Sequence, residues 1–156
     1  MSVQLIDVKS DRHLWVQNYD RQLDDVFAVQ SDIARQVADA LRIRILPNER
    51  QQLEKRPTKS AEAYTLYLKG RYHWNRRSKE NLLKAIQYFK LAIEADPDFA
   101  AAYSGMADSY GVLADHGHMA AREVLPKGME LSEKAVQLDD TSAEAHTSLA
   151  GFAYCW

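Results

Sequence analysis

The chain has 156 residues, a formal net charge of −2 at pH 7 and a hydrophobic fraction of 46%. Its single cysteine, Cys155, excludes a disulfide within the chain and a zinc site built on several thiolates. Only six Gly and four Pro residues stand among many Ala and Leu, which favours helix, and neither a spanning apolar stretch nor a signal-peptide start is present. We therefore expect a cytoplasmic protein without membrane contact.

The charges are unevenly distributed along the chain. Residues 61–99 contain seven Lys/Arg and five Asp/Glu, whereas residues 100–156 contain three and eight. A basic middle and an acidic last third indicate polar partner surfaces, or head-to-tail contact between copies.

The first 57 residues predict two strands followed by a helix. Val3–Val8 and His13–Tyr19 are rich in β-branched and aromatic residues and flank a polar turn, which is typical of a hairpin. Apolar residues then recur from Val26 to Ile45 at spacings of three and four, as on one stripe of a helix. Because a lone hairpin is marginally stable, we expect residues 1–57 to be part of an α/β domain. Its sheet is completed either upstream of Met1 or by another chain.

From residue 60 onward the pattern is helical and repeats itself. The tetrapeptide Ala-x-Ala followed by an aromatic residue or His occurs at 61–64, 100–103 and 143–146, at spacings of 39 and 43 residues. The second and third copies each follow a matching helix end, at Asp96-Pro97 and Asp139-Asp140. The repeat predicts units of helix, connection and helix over about 61–99 and 100–142, with an incomplete unit over 143–156.

One stretch of the first unit carries a family pattern. Small Ala85 is followed by aromatic Phe89, then by Ala92 and a closing Pro97. In this pattern residues 58–156 resemble the tetratricopeptide (TPR) family. The resemblance implies a mainly α protein with a short right-handed α-α superhelix of about two and a half units.

The family's period is 34 residues, so the extra residues of each unit are expected at the turns between paired helices. These turns lie around residues 75–79 and 115–122. In the second unit Gly128 and Ser132 replace the small residue and the aromatic one. We therefore expect that helix to pack less firmly.

The N-terminal segment, residues 3–45, resembles the end of the TolB-like α/β domain that precedes TPR arrays in some bacterial regulators. These regulators include adenylate-cyclase-like, winged-helix and kinase-linked proteins. The resemblance implies that residues 1–57 are a hairpin-plus-helix remnant of such a domain.

The TPR resemblance also implies a binding groove, because the first helix of each pair lines a concave face that holds extended or helical peptides. Lys69 stands without the second basic residue that clamps a free C-terminus in chaperone-binding members, and Asp108 lies on the neighbouring helix. The alternative is a solvated face whose binding site lies in repeats outside the chain. The aligned groove residues are Glu62, Thr65, Lys69, Tyr72, His73, Ser104, Asp108, Glu144, Thr147 and Tyr154.

Both ends of the predicted architecture are candidates for self-association. A third unit that stops after one helix would leave Leu149, Phe152 and Trp156 partly bare, and a strand containing Leu5 would offer an unpaired edge. The bare helix is either a self-association surface or the consequence of a truncated array.

Other motifs have simpler interpretations. Arg71–Arg77 mixes basic and aromatic residues as single-strand binders do, but packing aromatics beside a solvated basic helix end explain it at least as well. Asp115–His118 is a turn rather than a metal site, and Cys155 has no activating base beside it. We expect no metal, no cofactor and no enzymatic activity, and we keep binding of single-stranded nucleic acid as the least favoured alternative function.

These patterns together predict a protein–protein interaction or assembly module in a bacterial regulatory protein. Its partner is a protein or peptide segment bound on the concave face. The alternative is a structural module that forms a homodimer through its open ends.

Overall fold

A computed structural model of the chain describes residues 2–18, 26–41, 46 and 55–153. The chain divides into two compact units, Met1–Arg56 and Pro57–Trp156. Most of the described residues are helical, and one two-stranded antiparallel sheet accompanies them. Within the described part, no helix combines the length and the hydropathy that crossing a bilayer requires.

The first unit begins with the predicted hairpin. Strand β1, Ser2–Asp7, pairs antiparallel with β2, Arg12–Asn18, and the register shifts between Leu5 and Ile6. The Asp7 carboxylate closes the turn, because it accepts hydrogen bonds from the Lys9 amide (2.9 Å) and the Ser10 hydroxyl (2.7 Å).

Helix α1, Val26–Ala40, supplies the apolar surface of this unit. Val29 and Ala38 are buried, and the indole N–H of Trp15 on β2 donates to the Gln36 side chain on α1. Leu41, expected on the buried stripe, is 48% exposed. Ile45, at the end of that stripe, lies outside the described residues.

The described part of the second unit contains five helices, several of which begin or end at local capping signals. Ser60 and Ser78 cap α2 and α3, where their hydroxyls accept from the Ala63 and Asn81 amides. Asp96 and Asp139 are the C-cap residues of α3 and α5, at the predicted helix ends. The helices are α2 Ala61–Trp74, α3 Lys79–Ala95, α4 Ala100–Asp115, α5 Ala121–Leu138 and α6 Ala143–Ala153.

These helices pack as two layers. Helices α2, α4 and α6 lie side by side in that order, with α3 against α2 and α4, and α5 against α4 and α6. The connections within the pairs are residues 75–78 and 116–120, close to the turns that the sequence predicted around 75–79 and 115–122. The first helices of successive pairs therefore form one common face.

Phe89 on α3 fixes the spacing of the first two pairs. Its side chain is fully buried, and a Cβ atom built on either Gly70 of α2 or Gly105 of α4 would lie 2.6 Å from its ring. Both helices approach the ring as closely as a bare backbone allows.

The expected loosening of α5 is not observed. Gly128 and Ser132 are buried, and a Cβ atom on Gly128 would overlap the ring of Phe152, which α6 contributes. The aromatic ring at this level comes from the following helix rather than from α5. Gly128 therefore makes room for a close contact.

We predict that Gly105→Ala lowers the free energy of unfolding by about 1–3 kcal/mol, because the new methyl group must displace a buried ring. Gly151→Ala is the control, since its Cβ meets no described atom within 4 Å. That variant should gain up to about 1 kcal/mol from helix propensity. Urea denaturation measures both values, and an undiminished stability of Gly105→Ala would contradict the packing account.

Candidate functional site

A polar network crosses the face formed by α2, α4 and α6. The Arg71 guanidinium of α2 pairs with the Glu144 carboxylate of α6 at 2.7 Å, and the Tyr67 hydroxyl donates to the same carboxylate at 3.4 Å. Tyr67 and Arg71 share one face of α2 because they are four residues apart. The first and third helices of the layer are thereby joined directly.

A second link joins α6 to α4. The Ser148 hydroxyl donates to Oδ1 of Asp108 at 2.6 Å. Ser148 lies one turn after Glu144, so α6 contacts both α2 and α4 through one stripe of polar residues.

Burial sets the protonation behaviour of this network. It raises the pKa of Asp108 and of Glu144 above their usual values, and Arg71 opposes the shift in both. Burial, with a smaller contribution from the Glu144 charge, raises the pKa of Tyr67 to about 12. The nearby positive charges therefore compensate the negative charges of Asp108 and Glu144 only in part.

Beside the network lies an open pocket of about 330 Å³. Residues from α2, α4, α5 and α6 form it, and most of its lining is apolar. The lining residues are Trp74, Asp108, Gly111, Val112, Asp115, Leu125, Thr147, Ser148, Gly151 and Phe152.

Cationic side chains cover the aromatic rings at the C-terminal end of α2. The Arg77 and Arg71 guanidinium carbons lie 3.5 and 4.8 Å from the Trp74 ring centroid, and that of Arg76 lies 4.5 Å from the Tyr72 centroid. The buried indole Nε1 of Trp74 has no hydrogen-bond partner among the described residues. These rings already stack on the protein's own cations, so they offer less free surface to a nucleobase.

The predicted groove residues separate by exposure. Glu62, Lys69, Tyr72 and Thr147 are exposed, whereas Thr65, His73, Asp108 and Glu144 are half-buried.

His73 and Lys69 also have ring contacts. The His73 ring stacks on Tyr88 at 5.4 Å between centroids, and the Lys69 ammonium lies 6.0 Å from the same ring.

Ser104 requires a correction. It is fully buried and its hydroxyl points back to the Ala100 carbonyl, so it does not line the groove. Tyr154 lies outside the described residues.

The predicted self-association residues are less bare than expected. Phe152 is 4% exposed because its ring fills the space at Gly128, which corrects its place on an open surface. Leu149 and Leu5 are half-buried. Trp156 lies outside the described residues.

The sequence analysis missed Tyr67 and Ser148 as members of this face, and Leu125 of α5 as a wall of the pocket. Spacing gives a signal for two of them, because Tyr67 precedes Arg71 by one turn and Ser148 follows Glu144 by one turn. His116 and His118 stand with their ring centroids 5.7 Å apart. Within the described ranges, no group of three or more His, Cys, Asp or Glu residues could hold a metal ion.

Comparison with known proteins gives one partial relative. The chain is 30% identical over 159 aligned positions to the protein named "Putative adenylate cyclase 3" of Rhizobium meliloti (strain 1021). The alignment covers 100% of this chain and 27% of that protein, so the chain spans about a quarter of the relative's length. No family model matches the chain, and no solved structure matches it.

We predict that Asp108→Asn gains stability relative to the natural chain at neutral pH and loses this advantage in acid. Burial raises the pKa of Asp108 above 3.8, so the protonated form contributes stability that is fully present below that value. The contribution is lost as the pH rises through the folded-state pKa. The asparagine is uncharged throughout and can still accept from Ser148.

Urea denaturation of both proteins at about pH 7 and about pH 4 measures this difference. Glu133→Gln, which removes an exposed carboxylate of α5, is the control and should show little pH-dependent difference. An Asp108→Asn advantage that is constant or larger in acid would contradict the assignment.

Proposed function

We propose that residues 58–156 form a TPR-like array that binds a protein segment on the face of α2, α4 and α6. Three observations support the repeat assignment: the recurring Ala-x-Ala tetrapeptide, helix pairs that end at Asp96 and Asp139, and the two-layer packing of those pairs. The observation that supports binding most strongly is the open pocket that α2, α4 and α6 form together with α5.

Exposed side chains of the helices that carry this pocket suit recognition of a protein segment. Tyr72 is 55% exposed, and Lys69 and Thr147 are exposed on the same layer. Aromatic and arginine side chains supply much of the binding energy in protein interfaces, because they bury large areas and still make directed polar contacts. The Arg71–Glu144 pair holds α2 and α6 in place beneath such a segment.

We propose that the chain is the non-catalytic part of a cytoplasmic bacterial regulator. Its relative is named an adenylate cyclase, and the aligned region is 27% of that protein. Any cyclase chemistry would then belong to segments outside the region that this chain spans. An assay of the chain with magnesium and ATP should yield no cyclic AMP above the buffer control.

A second candidate is self-association through the first unit. Val8 is 94% exposed, and Leu14 and Val16 on β2 are 45% and 50% exposed. Exposed apolar residues of this kind, in the turn and on β2, are typical of a surface that another chain, or the remainder of a domain, covers. Light scattering across a hundredfold range of concentration tests this candidate, and a monomer throughout would exclude it.

The binding proposal is tested with peptides selected on the chain from a random-peptide display library. We expect Lys69→Glu and Tyr72→Ala each to lower the affinity for the selected peptides about tenfold, since both remove exposed groups of the proposed interface. Fluorescence polarisation measures the affinity.

Lys134→Glu is the matched control, because it makes the same charge change on α5 in the other layer. Circular dichroism checks that each variant is folded. Peptides that bind equally to all variants, or that lose binding only with Lys134→Glu, would contradict the proposal.

A further inference from the structure

We propose that the pocket between α2, α4, α5 and α6 takes the cationic side chain of a lysine or arginine from the partner segment. This inference rests on the proposed function and specifies the chemistry of the partner. It follows from hydrogen-bond capacity, from charge and from the shape of the pocket.

The polar lining groups are mostly acceptors. The Ser148 hydroxyl already donates to Asp108 and the Thr147 hydroxyl to the Ala143 carbonyl at 2.7 Å, so both oxygens can only accept further bonds. Asp108 and Asp115 add two carboxylates to the lining, and each carboxylate can accept about four hydrogen bonds. Apart from the buried indole N–H of Trp74, the side chains of the lining lack donors to offer. The occupant must therefore bring them.

The charge of the pocket also favours a cationic side chain. Neither Asp108 nor Asp115 forms an ion pair with any residue in the described part of the chain. Arg71 is paired with Glu144, and the Arg77 guanidinium, whose charge also lowers the pKa of Asp108, lies over the Trp74 ring. Asp115 is also the last residue of α4, where the helix dipole is negative and already favours a cation. The two carboxylates are seven residues apart, on one stripe of α4 with Gly111 and Val112 between them.

The rest of the pocket suits the stem of a long side chain. Val112, Leu125 and Phe152 give apolar walls, while Gly111 and Gly151 have no side chains to fill the space. Lysine and arginine bury their methylene groups against such walls and keep the charged end at polar groups. About 330 Å³ is at the small end for ligand pockets, which favours one side chain over a large ligand.

The same features reject anionic occupants. A nucleic-acid phosphate or a free C-terminal carboxylate would meet two carboxylates and few donors, which costs energy through both repulsion and lost hydrogen bonds.

The direct test uses N-acetyl-lysine-N-methylamide as the probe and the intact, isotope-labelled chain as the receptor. We expect saturable shifts of the NMR signals of the Gly111 and Gly151 amides and of the Trp74 indole. The norleucine analogue, which has the stem without the charge, should bind about tenfold more weakly, and the glutamate analogue should not compete. Equal binding of norleucine and lysine, or no pocket shifts with lysine, would overturn the inference.

Variants identify the groups responsible. Asp108→Asn and Asp115→Asn should each lower the affinity for the lysine probe several-fold. Glu133→Gln, an equal charge change outside the pocket, should leave that affinity unchanged. An affinity for the lysine probe that is unchanged in both pocket variants would overturn the inference.

The selected peptides separate this inference from the proposed function. Peptides that depend on Lys69 and Tyr72 but contain no lysine or arginine, and that bind Asp108→Asn unchanged, would overturn the pocket assignment while the groove proposal stands. Lysine binding in the pocket without peptide binding on the face would overturn the groove proposal while the pocket assignment stands.

Discussion

The architecture of the second unit depends on one buried ring between two bare backbones. Phe89 lies against Gly70 of α2 and Gly105 of α4, at positions where a Cβ atom would approach the ring to 2.6 Å. This contact sets how closely the first helices of successive pairs lie. Because Phe152 takes a similar place against Gly128, the same constraint recurs one pair later with the ring supplied by a different helix.

Close helices have a consequence for the polar face. Arg71 reaches Glu144 across the layer, and Ser148 reaches Asp108, because α2, α4 and α6 lie side by side. The carboxylates are half-buried, so their charged forms lose hydration that Arg71, and Arg77 in the case of Asp108, only partly replace. The packing of the core and the chemistry of the pocket are therefore two results of the same spacing, and a cationic partner side chain would relieve the charge that the packing leaves.

Local features of the fold could be predicted from the sequence. Runs of β-branched and aromatic residues around a polar turn predicted the hairpin, and the matching motifs at Asp96-Pro97 and Asp139-Asp140 predicted two helix ends, because these signals lie within a few residues. Burial of Ser104 could not be predicted, since it depends on how α4 is rotated between its neighbours. The burial of Phe152 also depends on tertiary packing, because the space at Gly128 that its ring fills exists only once α5 and α6 have packed. The pocket combines four helices, so no single stretch of sequence contains it.

The central claim is that a partner segment lies across the layer of first helices. Its most direct test is paramagnetic relaxation, with a spin label on a selected peptide and the amide signals of the whole chain as the readout. The account predicts that signals of α2, α4 and α6 broaden, Thr147 among them, while those around Lys134 on α5 keep their intensity. Broadening confined to α3 and α5, or to the hairpin, would contradict it.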